Sequence, residues 1–69
     1  MPQSTNLDDL LLAERHVRRG REIVARQREL IADLRTRSFN TAPAEDLLSV
    51  FEDSLAIFEE DLAALLARH

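Results

Sequence analysis

The chain has 69 residues, of which 45% are hydrophobic and none is cysteine, and its formal net charge is −4 at pH 7. This length allows one domain at most, and the lack of cysteine excludes disulfides and thiolate-bound metal as sources of stability. Length and composition therefore indicate a single small domain, residues 1–69, that is stabilised by association. The acidic balance disfavours a general affinity for nucleic acid.

The first predicted helix covers about residues 6–37. Apolar and small residues recur at intervals of three and four along it, which is the period of one helix face. This first stripe consists of Leu10, Ala13, Val17, Gly20, Val24, Gln27, Ile31 and Leu34. Thr5 or Asn6 is the expected N-cap, because either side chain can accept a hydrogen bond from the first free backbone amides.

A turn is predicted at residues 38–41, and a second helix is predicted over about residues 42–67. Asn40 tolerates a left-handed backbone, Thr41 is the expected second N-cap, and Pro43 is compatible with a first helical turn. The second stripe consists of Ala44, Leu48, Phe51, Leu55, Phe58, Leu62 and Leu65. Two such helices joined by a short turn predict an antiparallel hairpin.

Charged residues beside the two stripes predict how the helices are aligned. Folding the chain back near Asn40 places opposite charges together in the pairs Arg35 with Glu45, Arg28 with Glu52 and Arg21 with Glu59. In this register Gly20 is expected to face Leu62. A glycine inside a helix costs about 1 kcal/mol relative to alanine, so we expect a close helix crossing there, or a ring such as that of Phe58 in the space. Phe39, in the turn, is expected to cover the end of the bundle.

Each apolar stripe is wider than one partner helix can cover. Ile23 and Leu30 widen the first stripe, and Leu47, Val50 and Ile57 widen the second. The predicted fold class is therefore all-α, a two-helix antiparallel hairpin that dimerises into a four-helix bundle, while a trimer or a hetero-complex would satisfy the same pattern. The candidate core and oligomer-interface residues are Gly20, Ile23, Gln27, Leu30, Leu47, Val50 and Ile57.

Three polar residues form a candidate polar site: His16, Gln27 and Asp61. Gln27 interrupts the first stripe, and we expect it to bond to a backbone carbonyl or to its symmetry mate, with a ligand contact as the alternative. His16 is expected near Asp61 or Arg68, with a hydrogen bond to Asp61. Because neither a second imidazole nor a Glu-x-x-His element accompanies them, we predict no metal, no cofactor and no catalytic residue, and therefore no enzyme.

A basic face on the first helix consists of Arg15, Arg18, Arg19 and Arg26. Residues 1–40 hold eight Arg against six acidic residues, whereas residues 41–69 hold one Arg against seven. This division favours pairing between the two helices, and contact of the basic face with RNA or an acidic protein is the alternative. Salt bridges from Arg18 to Glu22 and from Glu22 to Arg26, at helical spacing, explain the same residues without a ligand.

An ordered set of residues resembles a group of short helical-hairpin proteins from alphaproteobacteria. The residues that carry the resemblance are Ala13-Glu14-Arg15-His16-Val17, Gly20, Ile23-Val24, Gln27, Leu30-Ile31, Leu34, Asn40-Thr41, Ala44-Glu45, Leu47-Leu48, Phe51-Glu52 and Leu55. It covers about residues 10–65, and Ser38 stands where those proteins have Gly. That uncharacterised group has no established activity to transfer, and the resemblance implies only positions to test, which are His16, Gly20, Gln27 and Thr41.

The predicted function is a small non-catalytic helical module for protein interaction or regulation that acts as a homo-oligomer. In length and topology the chain also resembles the Rop type of RNA-binding hairpin dimer, so an RNA binder is the alternative function. The longest apolar run, Leu10 to Ala13, is far shorter than the roughly 20 residues that span a bilayer, and the first residues lack the pattern of a signal peptide. We therefore expect a cytoplasmic protein whose main partner is a second copy of itself.

Overall fold

A computed structural model describes the backbone of residues 3–68 and the side chains of residues 7–68. Two helices, α1 (Gln3–Thr36) and α2 (Ala42–Ala67), run antiparallel as a hairpin with extents of 55, 16 and 13 Å. The predicted all-α hairpin is confirmed, and the second helix has the predicted bounds.

The start of α1 lies earlier than the sequence predicted. The helix begins at Gln3, so Thr5 and Asn6 lie inside it and neither is its N-cap. Their side chains lie outside the described residues. The segment before Leu7 contains no proline or glycine after Pro2, and helix propagation is inexpensive once a long helix has formed, which accounts for the additional turn.

The end of α1 is closed by a left-handed residue, and that residue is Ser38, with φ at 63°, rather than Asn40. The amide of Phe39 donates to the carbonyl of Leu34 at 2.9 Å, and the amide of Ser38 donates to Arg35 at 3.1 Å. These two bonds define a Schellman motif, in which the chain reverses at the first residue after the last helical turn. The left-handed conformation is therefore needed before Asn40 is reached.

The start of α2 is capped by Asn40 as well as by backbone geometry. Its Oδ1 accepts a hydrogen bond from the amide of Ala42 at 3.1 Å. Thr41 occupies the N-cap position as predicted, but its side chain makes no capping bond, and its hydroxyl donates to the carboxylate of Glu45 instead. Pro43 lies in the first turn of α2, where its missing amide leaves no bond unmade.

The core is a single seam between the helices. Its buried residues all come from the first stripe and are Ala13, Val17, Gly20, Val24, Gln27 and Ile31. On α2, by contrast, no residue is buried, and the second stripe is only half-covered. Phe39 is 58% exposed in the single hairpin, and the expectation that it covers the end of a four-helix bundle stays a prediction. One hairpin therefore covers the inner side of α1 but encloses no complete core.

The level at which residues face each other across the seam differs from the prediction. A Cβ placed on Gly20 would lie 3.0 Å from Leu55 Cδ1 and 3.7 Å from Phe58 Cδ2. Leu55 and Phe58 therefore lie nearest to Gly20, and the prediction that Leu62 faces Gly20 is wrong. The expectation of an aromatic ring in this space is confirmed.

The predicted ion pairs are nevertheless confirmed, because side chains lean along the helix. A helical side chain tilts toward the N-terminus of its own helix, and in an antiparallel pair the two tilts are opposite. Arg21 leans toward the open end of the hairpin and Glu59 leans toward the turn, so their side chains meet at 3.3 Å although Gly20, next to Arg21, packs against Leu55 and Phe58. A register that places each Arg level with its Glu therefore assigns the wrong residue opposite Gly20.

Ser38→Gly should raise the free energy of unfolding by about 1 kcal/mol, because glycine adopts the left-handed conformation without the clash that a Cβ introduces. Chemical denaturation followed by circular dichroism measures this change. Ser49→Gly is the matched control: Ser49 is exposed inside α2, where glycine should lower stability by about 0.5 kcal/mol. Equal effects of the two substitutions would contradict the assignment of Ser38.

Candidate functional site

The two flanks of the seam differ in chemistry. One flank, here called the charged flank, carries three ion pairs between the helices, which are Arg21 with Glu59 at 3.3 Å, Arg28 with Glu52 at 2.8 Å and Arg35 with Glu45 at 3.2 Å. The side chains of all six residues are largely exposed. Exposed pairs of this kind contribute about 0.2–1 kcal/mol each, so their main effect is to fix the register and keep this flank hydrated.

The opposite flank is apolar. Its members, here called the apolar face, are Ile23, Leu30, Leu47, Val50 and Ile57. Ile23 and Leu30 each precede a residue of the first stripe, whereas the Arg residues of the charged flank each follow one, which places the two sets on opposite sides of α1. The exposed fractions are 45% for Leu30 and Leu47, and 56% and 57% for Val50 and Ile57. Large aliphatic side chains are thus left in contact with water along one side of the hairpin.

Gly20 and Gln27, which the sequence placed both in the first stripe and in the candidate core and oligomer-interface set, lie in the seam. Both are buried between the helices, and Gln27 is only 8% exposed. Its Nε2 donates to the backbone carbonyl of Ala44 at 2.9 Å, which is one of the two partners that the sequence suggested. This bond satisfies a buried amide group and ties the middle of α1 to the first turn of α2.

The candidate polar site is divided between two ends of the hairpin. His16 and Asp61 line one open groove near the helix ends, together with Arg68. The ring of His16 lies against that of Phe58, with 5.0 Å between the ring centroids, and within residues 3–68 it makes no hydrogen bond to Asp61. Gln27 is bonded toward the turn and is not part of this groove.

The expected hydrogen bond from His16 to Asp61 is therefore wrong. The groove also contains Asp9 and, as an apolar member that the sequence prediction missed, Leu12, which is 46% exposed. Leu12 lies four residues before His16, so helical spacing was the signal that would have found it. Over the described part of the chain, residues 3–68, no group of three or more His, Asp or Glu side chains is placed to hold a metal ion.

All four Arg side chains of the basic face on α1 are exposed. Glu22 pairs with Arg19, with 3.5 Å between Nη1 and Oε1, and not with Arg18 or Arg26 as predicted. Spacing alone did not distinguish these partners, since residues three and four apart are both neighbours on a helix. Among the residues that the structure describes, no ion pair is formed by Arg15, Arg18 or Arg26.

Glu45 joins the turn to both helices. The hydroxyl of Thr41 donates to its carboxylate, and Arg35 also donates to Oε2 at 3.2 Å. These contacts lower the pKa of Glu45 below its ordinary value, with the Thr41 hydrogen bond as the largest cause and the charge of Arg35 acting in the same direction. Charge spacing in the sequence predicts the Arg35 partner but not the Thr41 hydroxyl, which is four residues before Glu45.

Comparison with known proteins identifies no family or homologue of this chain. The chain matches no family model, no curated protein and no solved structure. The resemblance to the alphaproteobacterial hairpins therefore stays a prediction. Neither helix, within residues 3–68, has the length and apolar character needed to cross a membrane.

Thr41→Val should raise the pKa of Glu45 toward its ordinary value, because the main donor to the carboxylate is lost. A carboxyl group with a lowered folded-state pKa stabilises the protein above its unfolded-state pKa, and this contribution disappears as pH falls through the folded-state pKa. The variant should therefore lose less stability on acidification over that interval. NMR titration of the Glu45 carboxyl measures the shift.

Thr36→Val is the control for this titration. It removes a hydroxyl that donates to the backbone carbonyl of Asp33 at 2.7 Å, outside the Thr41 contact. The pKa of Glu45 should stay as in the parent chain. A Glu45 titration that is the same in all three proteins would contradict the role of the Thr41 hydroxyl.

Proposed function

We propose that this chain is a small non-catalytic helical module that works as a homodimer, in which the apolar faces of two hairpins pack into an antiparallel four-helix bundle. The observation that carries the proposal is the exposure of Leu30, Leu47, Val50 and Ile57 along one flank, opposite a flank of ion pairs. A contiguous apolar surface bordered by charge is typical of an interaction site.

The size of the hairpin suits such an interface. One whole side of the hairpin, 55 by 16 Å, is comparable with the roughly 800 Å² that each partner buries in a standard protein interface, and the apolar face forms one part of that side. Full burial of a large aliphatic side chain contributes about 1.5–3 kcal/mol, and four of them are about half-exposed in the single hairpin. Association would also complete the core, since α2 has no buried residue of its own in the hairpin.

The polar side chains support an interaction role in preference to catalysis, because their contacts serve the hairpin itself. Gln27 bonds to the carbonyl of Ala44, and His16 lies against the ring of Phe58. The Glu residues of the charged flank are held by Arg. A dimer built on the apolar face would leave the charged flank available to a further protein partner.

Ile57→Glu should weaken the dimer more than about a hundredfold, because the substitution introduces a charge into an apolar interface in both copies. Sedimentation equilibrium at micromolar concentration measures the mass, which should be about twice 7.9 kDa for the parent chain and fall toward 7.9 kDa in the variant. Ala56→Glu adds the same charge to an exposed neighbour that is not part of the apolar face, and it should remain dimeric.

A folded parent chain that sediments at 7.9 kDa would overturn the homodimer. Equal weakening by Ala56→Glu and Ile57→Glu would show that added charge acts without regard to position, and would contradict the apolar face as the interface. Circular dichroism of each variant at the same concentration shows whether helix content is lost together with the dimer.

Electrophoretic titration with a structured RNA at two salt concentrations should show no shift at micromolar protein, because Arg19 is engaged with Glu22 and the chain is acidic as a whole. A shift that weakens steeply as salt rises would support the Rop-like RNA binder instead. Loss of that shift in Arg15→Ala and Arg18→Ala variants would assign it to the basic face.

A further inference from the structure

We propose that the two hairpins associate with their turns at the same end of the bundle, so that α1 of each copy packs against α2 of the other. This inference rests on the proposed homodimer and specifies which surfaces meet within it. It follows from the charges that border the apolar face and from the register of the hairpin.

Two hairpins can place one face against its own copy in two symmetric ways. A two-fold axis parallel to the helices puts both turns at one end and sets α1 against α2 of the second copy. A two-fold axis across the helices puts the turns at opposite ends and sets α1 against α1 and α2 against α2. Both arrangements bury the apolar face, so burial does not choose between them. The charges along its borders do.

The border of the apolar face on α1 is basic. Arg26 lies three residues after Ile23 and four before Leu30, so it is their direct neighbour on the helix surface. Arg19 lies four residues before Ile23 and continues the same row. Both Arg residues are exposed. The long side chains can therefore extend across the edge of an interface while their guanidinium groups stay hydrated.

The border on α2 is acidic. Asp53 lies three residues after Val50 and four before Ile57, and Glu60 lies three residues after Ile57. Both acidic side chains are exposed. The apolar face is therefore flanked by positive charge on one helix and by negative charge on the other.

In the arrangement with both turns at one end, these borders face each other at a fixed height. An axis parallel to the helices allows no sliding, so a residue of one copy faces the second copy at the level set by the hairpin itself. Within the hairpin, Arg28 reaches Glu52. Arg26 and Asp53 have the same separation along the bundle axis as Arg28 and Glu52, to within one residue. Arg26 of one copy therefore reaches Asp53 of the second copy.

The neighbouring pair follows the same rule. Arg21 reaches Glu59 within the hairpin, and the equivalent offset brings Arg19, whose Nη1 also lies 3.5 Å from Glu22 Oε1, to Glu60 of the second copy. By symmetry each contact occurs twice, which gives four ion pairs along the two edges of the bundle. Asp33 continues the α1 row toward the turn, where it would face the acidic start of α2 of the second copy. Its charge is offset by Arg37, whose Nε lies 3.3 Å from Asp33 Oδ2.

With the turns at opposite ends, like charges meet. The α1 border faces its own copy in the reverse direction, which places Arg19 near Arg26 of the second copy when the bundle is centred. The α2 border likewise brings Asp53 and Glu60 toward acidic residues only. Repulsion at both edges disfavours this arrangement, as like charges do across other helical interfaces.

Charge reversal distinguishes the two arrangements by the sign of its effect. Arg26→Glu should weaken the dimer about tenfold, because an attraction becomes a repulsion in two symmetric positions. Adding Asp53→Arg should restore the parent affinity. Arg18→Glu is the control: Arg18 lies three residues before Arg21, toward the charged flank, and the same change of net charge there should alter affinity less than twofold.

A tighter dimer in Arg26→Glu would overturn the inference, because removing a cation from a cationic border strengthens the opposite-end arrangement. Failure of Asp53→Arg to restore affinity would also overturn it. Sedimentation of the parent chain in the same series reports whether a dimer exists at all, so failure of the homodimer is recognised separately from failure of this arrangement.

Distances between spin labels test the arrangement without changing any charge. The chain has no cysteine, so a single label can be attached at Thr36→Cys near the turn or at Ala25→Cys near the middle of the hairpin. With both turns at one end, the two labelled dimers should give distances equal to within about 10 Å. With the turns at opposite ends, the labels at position 36 would be separated by roughly 40 Å along the bundle.

A long distance at Thr36→Cys combined with a short distance at Ala25→Cys would overturn the inference while keeping the homodimer. No measurable coupling at Ala25→Cys, together with a monomeric mass, would overturn both the dimer and the arrangement built on it.

Discussion

The packing of α2 side chains against Gly20 is the contact on which the rest of the hairpin depends. A Cβ on Gly20 would lie 3.0 Å from Leu55 Cδ1 and 3.7 Å from Phe58 Cδ2, so the helices pack closely at this position and the contact helps to set their separation and level. The level in turn decides which Arg reaches which Glu on one flank and which aliphatic side chains lie side by side on the other. A larger residue in place of Gly20 would change all of these relations together.

The difference between the two flanks follows from the position of each residue relative to the seam. A residue just after a seam position lies on one side of the helix, and a residue just before it lies on the other. Arg28 follows Gln27 and reaches Glu52, whereas Leu30 precedes Ile31 and remains 45% exposed. Along the segment that carries the three ion pairs, the hairpin therefore has one charged side and one side that gains free energy when another apolar surface covers it.

Polar residues near the turn hold the two helices at a defined angle of entry. Asn40 caps the amide of Ala42, and Glu45 receives hydrogen bonds from Thr41 and Arg35. Farther from the turn on α1, Gln27 donates to the carbonyl of Ala44 in the first turn of α2. The turn end is thus crosslinked by directional bonds, whereas the open end is closed mainly by packing, with the His16 ring against Phe58. A defined turn end is what gives the apolar face a fixed shape.

The sequence by itself determined the two helices, their antiparallel pairing and the partners on the charged flank, because apolar period and charge spacing are properties of the chain that survive small errors of level. Arg21 finds Glu59 for this reason, since long side chains tolerate an offset. It also determined which residues flank the seam, and hence the composition of the apolar face. The sequence did not predict that Gln27 lies apart from His16 and Asp61, nor that the ring of His16 lies against Phe58.

Only the tertiary structure decided the details that depend on exact position. Ser38 adopts the left-handed conformation because the last turn of α1 ends at that point, and residue preference favoured Asn40. Gly20 meets Leu55 because side chains of antiparallel helices lean in opposite directions, which shifts the packed layers relative to the ion pairs. The imidazole of His16 lies against the ring of Phe58, a contact that spacing along the chain did not indicate. Spacing along the chain gives the face of a helix, while the height at which two faces meet is set by packing.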